Sequence, residues 1–208
     1  MVFDEKTIIQ QVLNGDQEAF AQLVQQYEKP VYNLCLRMAG NPDDAQDLAQ
    51  EAFLKAWRGL QFYKFEAAFS TWLYRLTSNV CIDFLRQQKR RPTTSLTVGD
   101  EEDENAELEL PDHRLLPEEQ MAQKEKQKAV TDAMNQLDDE FRMLLTLRVM
   151  EEQSYEQIAE IMDLKVGTVK SRISRAREKL RRILAKSGNN FEFESSNSIE
   201  GRGVRHDM

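Results

Sequence analysis

Apolar residues recur along the chain at intervals of three and four, the period of a helix that turns one face inward. Ile8, Ile9, Val12 and Leu13 form a short first stripe that ends at Gly15. Asp16 can cap a second helix carrying Ala19, Phe20, Leu23, Val24 and Tyr27. Pro30 divides it from a third, with Val31, Leu34, Cys35 and Met38 on one face. Asn41-Pro42 opens a fourth, since asparagine caps and proline suits a first turn. A fifth runs from about Ser70 to Arg90. No segment alternates with a period of two, so an all-α fold is expected.

The helical pattern breaks over 92–117, which passes from Pro92 through Thr/Ser and a block of Asp/Glu to Pro117. This reads as a flexible acidic linker. The pattern resumes at Glu118 and continues to Lys186 in about four segments. The tail from Ser187 is polar and reads as disordered; its Ile199-Glu200-Gly201-Arg202 matches a protease site used in expression vectors. The expected organisation is two small helical domains, 1–91 and 118–186, joined by the 92–117 linker and followed by the 187–208 tail.

Within the second domain, Ser154 with Gln157 forms a capping-box start, and Ile158, Ile161 and Met162 give a short apolar stripe. Asp163 to Gly167 then reads as a turn, and Thr168 as the cap of a long helix with Val169, Ile173, Ala176, Leu180 and Leu184 on its core face. The opposite face carries Thr168, Ser171, Ser174, Arg175, Glu178 and Arg182, flanked by Lys170, Arg172, Arg177, Lys179 and Arg181. A short helix, a tight turn and a basic, hydroxyl-rich second helix describe a DNA-reading helix-turn-helix. Ser171, Arg172 and Arg175 suit base edges, and Lys170, Arg177 and Lys179 suit phosphates. A helical hairpin with a solvated basic face is the plainer alternative.

The first domain offers two surfaces. The fourth helix buries Ala45, Leu48, Ala49, Ala52, Phe53, Ala56 and Trp57, and sets Leu54 among Asp43, Asp47, Gln50, Glu51 and Arg58. Leu54 is either an anchor for a protein partner or an incidental exposed leucine. The fifth helix turns Leu73, Leu76, Val80 and Phe84 inward and Thr71, Arg75, Asn79, Ile82 and Arg86 outward, beside Trp72 and Tyr74. A loop with Phe62, Tyr63 and Phe65 precedes it. Aromatics beside Arg and Asn supply stacking platforms, backbone charges and amide readout for single-stranded DNA. Trp72 and Phe69 equally suit a core.

Charge changes the picture only through its distribution. The 208 residues carry a net −8, unexpected for a protein that meets phosphates. Yet Asp163–Lys186 holds nine Lys/Arg against two acids, whereas Asp100–Glu119 holds ten acids against Arg114 alone. Basic working surfaces joined by an acidic connector fit this asymmetry, and they imply weak DNA binding by the isolated chain. Cys35 and Cys81 fall on apolar faces and read as buried reduced thiols. With two histidines and no Cys pair at ligand spacing, neither a zinc site nor another cofactor is expected. A carboxylate metal site on Asp43, Asp44, Asp47 and Glu51 lacks the Glu-x-x-His partner that such helical sites use, which argues against an enzyme. No apolar run approaches the roughly 20 residues of a membrane span, and no signal-peptide h-region is visible, so a cytoplasmic chain is expected.

The stretches Tyr155-Glu156-Gln157-Ile158-Ala159, Val166 to Arg172 and Arg175-Ala176-Arg177 resemble region four of sigma factors, although response regulators share a similar helix pair. Asp43 to Trp57, with Phe69 to Leu76 through Asn79 and Asp83, resembles sigma region two. In this order the motifs resemble the extracytoplasmic-function group of sigma factors, from about residue 5 to 186. The resemblance implies that Asp47, Gln50, Glu51 and Leu54 dock the clamp coiled coil of the polymerase largest subunit. It implies that Phe62, Tyr63, Phe65, Trp72, Arg75, Asn79 and Arg86 capture unpaired bases of the minus-ten element. It implies that Thr168, Lys170, Ser171, Arg172, Arg175, Arg177 and Lys179 bind minus-thirty-five duplex. Core RNA polymerase (clamp helices and flap), promoter DNA and an inhibiting anti-sigma factor are the implied partners. Asp138 departs from the family, which often has proline after the residue matching Leu137, and this puts a helix boundary in question.

Overall fold

The computed structural model describes residues 4–90 and 117–186, side chains from 124 onward in the second stretch, and among them there is no strand. The 92–116 part of the expected linker and the 187–208 tail lie outside the described residues. The helices are α1 (Glu5–Leu13), α2 (Ala19–Ala39), α3 (Pro42–Gly59), α4 (Phe69–Arg90), α5 (Pro117–Asn135), α6 (Asp139–Leu145), α7 (Tyr155–Met162) and α8 (Val166–Lys186). A 3-10 turn covers Leu60–Phe62 and a π-type turn covers Thr146–Met150.

Local chemistry sets most boundaries. Asp16 accepts from the Ala19 N–H at 3.2 Å, and Asn41 accepts from the Asp44 N–H at 2.8 Å with Pro42 in the first turn. Ser154 and Gln157 close the capping box in both directions, at 3.1 and 2.8 Å. Ser154→Ala is therefore expected to cost about 1 kcal/mol, seen as a lower midpoint for the helical signal lost on heating. Asp138 keeps φ −63°, a value proline would impose, so α6 begins at Asp139 without it.

Two expectations about where helices begin and end are corrected. Pro30 lies inside α2 and does not divide it. Leu23, Tyr27, Val31, Leu34 and Met38 follow one another at steps of three and four, with Cys35 beside Leu34 on the same face. That single stripe packs on α3 and α4 and outweighs a local cost of about 3 kcal/mol. Likewise, α8 starts at Val166, its first turn bonded to the Lys165 carbonyl, so Thr168 is a first-turn residue and not the cap. The turn is shorter than expected: Asp163, at φ +54°, ends α7, and Leu164 and Lys165 complete it.

The core runs through both helical units without interruption. Helix α4 packs on α2 and α3 on one side and on α6 and α7 on the other. This explains why Thr71 and Ile82, expected to face outward, are buried, whereas Arg75, Asn79, Asp83 and Arg86 remain exposed. Cys35 and Cys81 are fully buried, their sulfurs 3.8 Å apart. The neighbouring sulfur and burial raise the Cys81 pKa well above its usual value, which keeps it a thiol.

Candidate nucleic-acid and polymerase interfaces

Three surfaces carry the residues singled out from the sequence. The first lies on α3. Asp47, Gln50, Glu51 and Leu54 are all exposed on one face, and Glu51 pairs with Lys55 at 2.9 Å. Leu54 is 54 % exposed and borders a groove of about 950 Å³ between α2 and α3. Phe20, Val24, Tyr32, Phe53 and Trp57 line it, and the Phe20 and Trp57 rings meet edge to face at 5.0 Å. Trp57 and Phe53, expected in the core, instead form this half-covered wall. An apolar groove edged by Glu28, Lys29, Gln46 and Gln50 is suited to a helix with apolar and polar positions.

The second surface is the exposed stripe of α4 with the loop before it. Arg75, Asn79 and Arg86 share that stripe. In the loop, the Tyr63 hydroxyl donates to the Ala67 carbonyl at 2.6 Å and fixes the bend, with Phe65 at φ +59°. The Tyr63 ring contacts Phe65, Trp72 and Phe69 at 4.7, 5.2 and 5.9 Å. Gly59 makes room for Trp72: a Cβ there would stand 3.3 Å from the indole. Tyr63 and Trp72 are thus half-buried supports, whereas Phe62, 74 % exposed, is the most exposed large apolar side chain among the described residues. Arg75 faces Asp163 at 3.4 Å, and Arg86 faces Asp83 and Glu140 at 3.7 and 3.8 Å.

The third surface is α8, seated on α7. Lys170, Ser171, Arg175 and Arg177 are exposed, and Val169, Ile173, Ala176, Leu180 and Leu184 are buried as expected. Thr168, Arg172 and Lys179 are half-buried. Ser171 Oγ donates to the Thr168 carbonyl at 2.9 Å, which orients it along the helix start. The Tyr155 ring lies between two cations, Arg148 at 4.7 Å and Lys170 at 5.4 Å from its centre. Arg172 binds Glu140 at 2.7 Å and Lys179 binds Asp138 at 2.6 Å. The Lys179 ammonium holds the Asp138 carboxyl below the usual range.

Sequence reasoning missed the residues that join the units. Arg142 is almost fully buried; its guanidinium donates to Asn135 Oδ1 at 2.5 Å and to the Met38 carbonyl at 2.6 Å. Desolvation lowers its pKa, which nearby Asp139 opposes. The Tyr74 hydroxyl donates to Glu151 at 2.9 Å, and Lys89 pairs with Asp139 at 2.7 Å. The one available signal was a cation inside the apolar run Phe141 to Leu147, where a charge needs a partner.

Residues 23–91 match the model for Sigma-70 region 2, and residues 127–180 match that for Sigma-70, region 4. The chain is 37% identical over 179 residues to the ECF RNA polymerase sigma factor SigW of Bacillus subtilis, covering 86% of this chain and 96% of that protein. It is 40% identical over 184 residues to the RNA polymerase sigma-H factor of Pseudomonas aeruginosa, covering 86% and 93%. With the ECF RNA polymerase sigma-E factor of Escherichia coli K12 it shares 41% over 175 residues, covering 84% and 91%. Among solved structures it resembles CnrH in complex with the cytosolic domain of CnrY, at 25% identity and TM-score 0.62, covering 88% of this chain and 97% of that one. The sigma factor RpoE of Bartonella quintana, solved with the anti-sigma factor NepR, shares the fold at TM-score 0.59 and 24% identity, covering 80% and 96%.

Proposed function

The chain belongs to the ECF RNA polymerase sigma factors, a family of transcription initiation factors and not enzymes, and we propose how its surfaces divide that work. It binds core RNA polymerase and directs initiation at particular promoters. The α3 face, through Asp47, Gln50, Glu51 and Leu54, docks the clamp coiled coil. The α4 stripe and its loop take unpaired minus-ten bases: Phe62 and Phe65 stack, Asn79 reads and Arg75 and Arg86 hold phosphates. Tyr63 and Trp72 stiffen that loop from behind. On α8, Ser171, Arg172 and Arg175 face minus-thirty-five base edges, while Thr168, Lys170, Arg177 and Lys179 meet the backbone.

The observation that carries this reading is the exposed start of α8, where Lys170, Ser171 and Arg175 stand on a helix held by α7 through a three-residue turn. Residues 1–91 and 118–186 act as the two working domains. The working compartment is the cytoplasm, and no described helix is long and apolar enough to cross a membrane. An anti-sigma factor is an inhibiting partner of the chain, by analogy with the complexed relatives.

Arg175→Ala tests the α8 assignment in run-off transcription with core polymerase. It is expected to weaken initiation at promoters that depend on the upstream element by about 1–3 kcal/mol for the lost base contact. Promoters with altered upstream sequence should change less. An equal loss on all of them would make Arg175 a phosphate contact.

A further inference from the structure

Three acids at the start of α6 stand opposite four cations drawn from two distant helices. Asp138 binds Lys179 and Glu140 binds Arg172, both on α8; Asp139 binds Lys89 and Glu140 also faces Arg86, both on α4. Arg86, Arg172 and Arg175 line one cleft of about 450 Å³ with these acids. Arg75, also on the α4 stripe, faces Asp163 at the end of α7. Apart from Asp139, whose side chain is 14 % exposed, the side chains of these pairs are substantially open to solvent and the pairs individually weak.

The strong contact across the units is Arg142. Helix α2 ends at Ala39, with Gly40 in the left-handed region and Asn41 extended, so the Met38 carbonyl in its last turn has no helical donor. The Arg142 guanidinium supplies one at 2.6 Å, at the negative end of the helix dipole. Burial makes this charge-assisted bond costly to leave unmade, because either partner left alone would be a desolvated polar group.

Distance shows what the arrangement prevents. Arg86 and Arg172 reach the two oxygens of one carboxylate, Glu140, at 3.8 and 2.7 Å. Elements at minus ten and minus thirty-five lie about 25 base pairs apart, roughly 85 Å at about 3.4 Å per pair. The two surfaces cannot serve both elements from this position. We propose that the chain inhibits itself: the acids Asp138 and Glu140 occupy the DNA-contacting cations Arg86, Arg172 and Lys179, and Arg142 latches the closed state to the end of α2. No second protein is needed for this masking, and the α2–α3 groove stays open for polymerase while the latch is shut. The inference rests on the proposal that α4 and α8 carry the promoter contacts.

The test compares the full-length protein with Arg142→Met and with the double variant Glu140→Gln/Asp163→Asn. Small-angle scattering reads the opening, and fluorescence anisotropy reads binding to a labelled duplex carrying the upstream element. Arg142→Met removes a positive charge, so simple electrostatics predicts weaker DNA binding. Release of a state closed about nine-tenths of the time predicts the reverse, about tenfold tighter binding, with a larger radius of gyration. The double variant is expected to move both readouts in the same direction. Glu156→Gln/Glu160→Gln, two exposed acids of α7, gives the same charge change and should leave the radius unchanged with a smaller gain in affinity. Circular dichroism checks that Arg142→Met is folded; the double variant, altering exposed side chains, stands as a test without it. An unchanged radius in both, or affinity that merely follows net charge, would overturn the proposal. Run-off transcription by the unaltered protein with core polymerase is read in parallel. Its absence would strike the promoter-contact reading instead, whereas transcription without any opening in the variants would strike the latch alone.

Discussion

Replacing Leu54 by aspartate is expected to weaken binding to core RNA polymerase by about 2–4 kcal/mol, roughly 30- to 1,000-fold. The side chain borders an apolar groove walled by Phe53 and Trp57 and edged by Glu28, Lys29, Gln46 and Gln50, the arrangement of an anchor inside a polar rim. A carboxylate there gives up the apolar contact and sets a charge against the apolar wall of Phe53 and Trp57. The fold should be untouched, because more than half of Leu54 already faces solvent. Competition against a labelled unaltered chain for core polymerase measures the effect, with circular dichroism as the control. An affinity change within about twofold, the ordinary range for a surface substitution, would remove Leu54 from the interface.

The second large effect is on stability. Leu34→Ala is expected to destabilise the N-terminal unit by about 2–5 kcal/mol. Leu34 is fully buried on α2, on the stripe that packs α3 and α4. Both tryptophans, Trp57 and Trp72, lie in this unit, so their fluorescence in urea follows the loss of its structure. The midpoint should fall with an unchanged slope. A shift below about 0.5 kcal/mol would mean that the packing around Leu34 differs from that described. Because α4 carries the proposed minus-ten residues, the same variant should lose promoter opening at temperatures where the unaltered protein retains it.

What was legible in the sequence was local. Asn41-Pro42 and the Ser154–Gln157 box are self-contained hydrogen-bond devices within four residues, and the structure has both. The core face of α8 follows from period alone. Pro30 misled because its local cost was weighed without the continuous stripe on either side of it. Thr168 misled because side-chain chemistry at a helix start was preferred over the Lys165 carbonyl, which any residue could supply. The outward assignment of Thr71 and Ile82 failed for a different reason. The second face of α4 is covered by α6 and α7, more than fifty residues away in the chain, and periodicity within one helix cannot report that cover.

The same distinction applies to the functional surfaces. The charge imbalance along the chain pointed to α8, but not to the acids that would meet it. Asp138, Asp139 and Glu140 read locally as the favourable first turn of a helix. Only the fold shows that they also engage Lys89, Arg86, Arg172 and Lys179. Arg142 was equally hidden, since its partner is a backbone carbonyl left open by the end of a helix, 104 residues upstream.

The central claim is that this chain reads promoters as a subunit of RNA polymerase and not as a free DNA-binding regulator. Permanganate reactivity of unpaired thymines, followed on a promoter library with and without core polymerase, tests it most directly. Opening near the minus-ten element is expected only when chain and core are both present, on templates that share an upstream and a downstream element. Specific nanomolar binding at physiological salt by the unaltered chain alone, with no opening when core is added, would contradict the account.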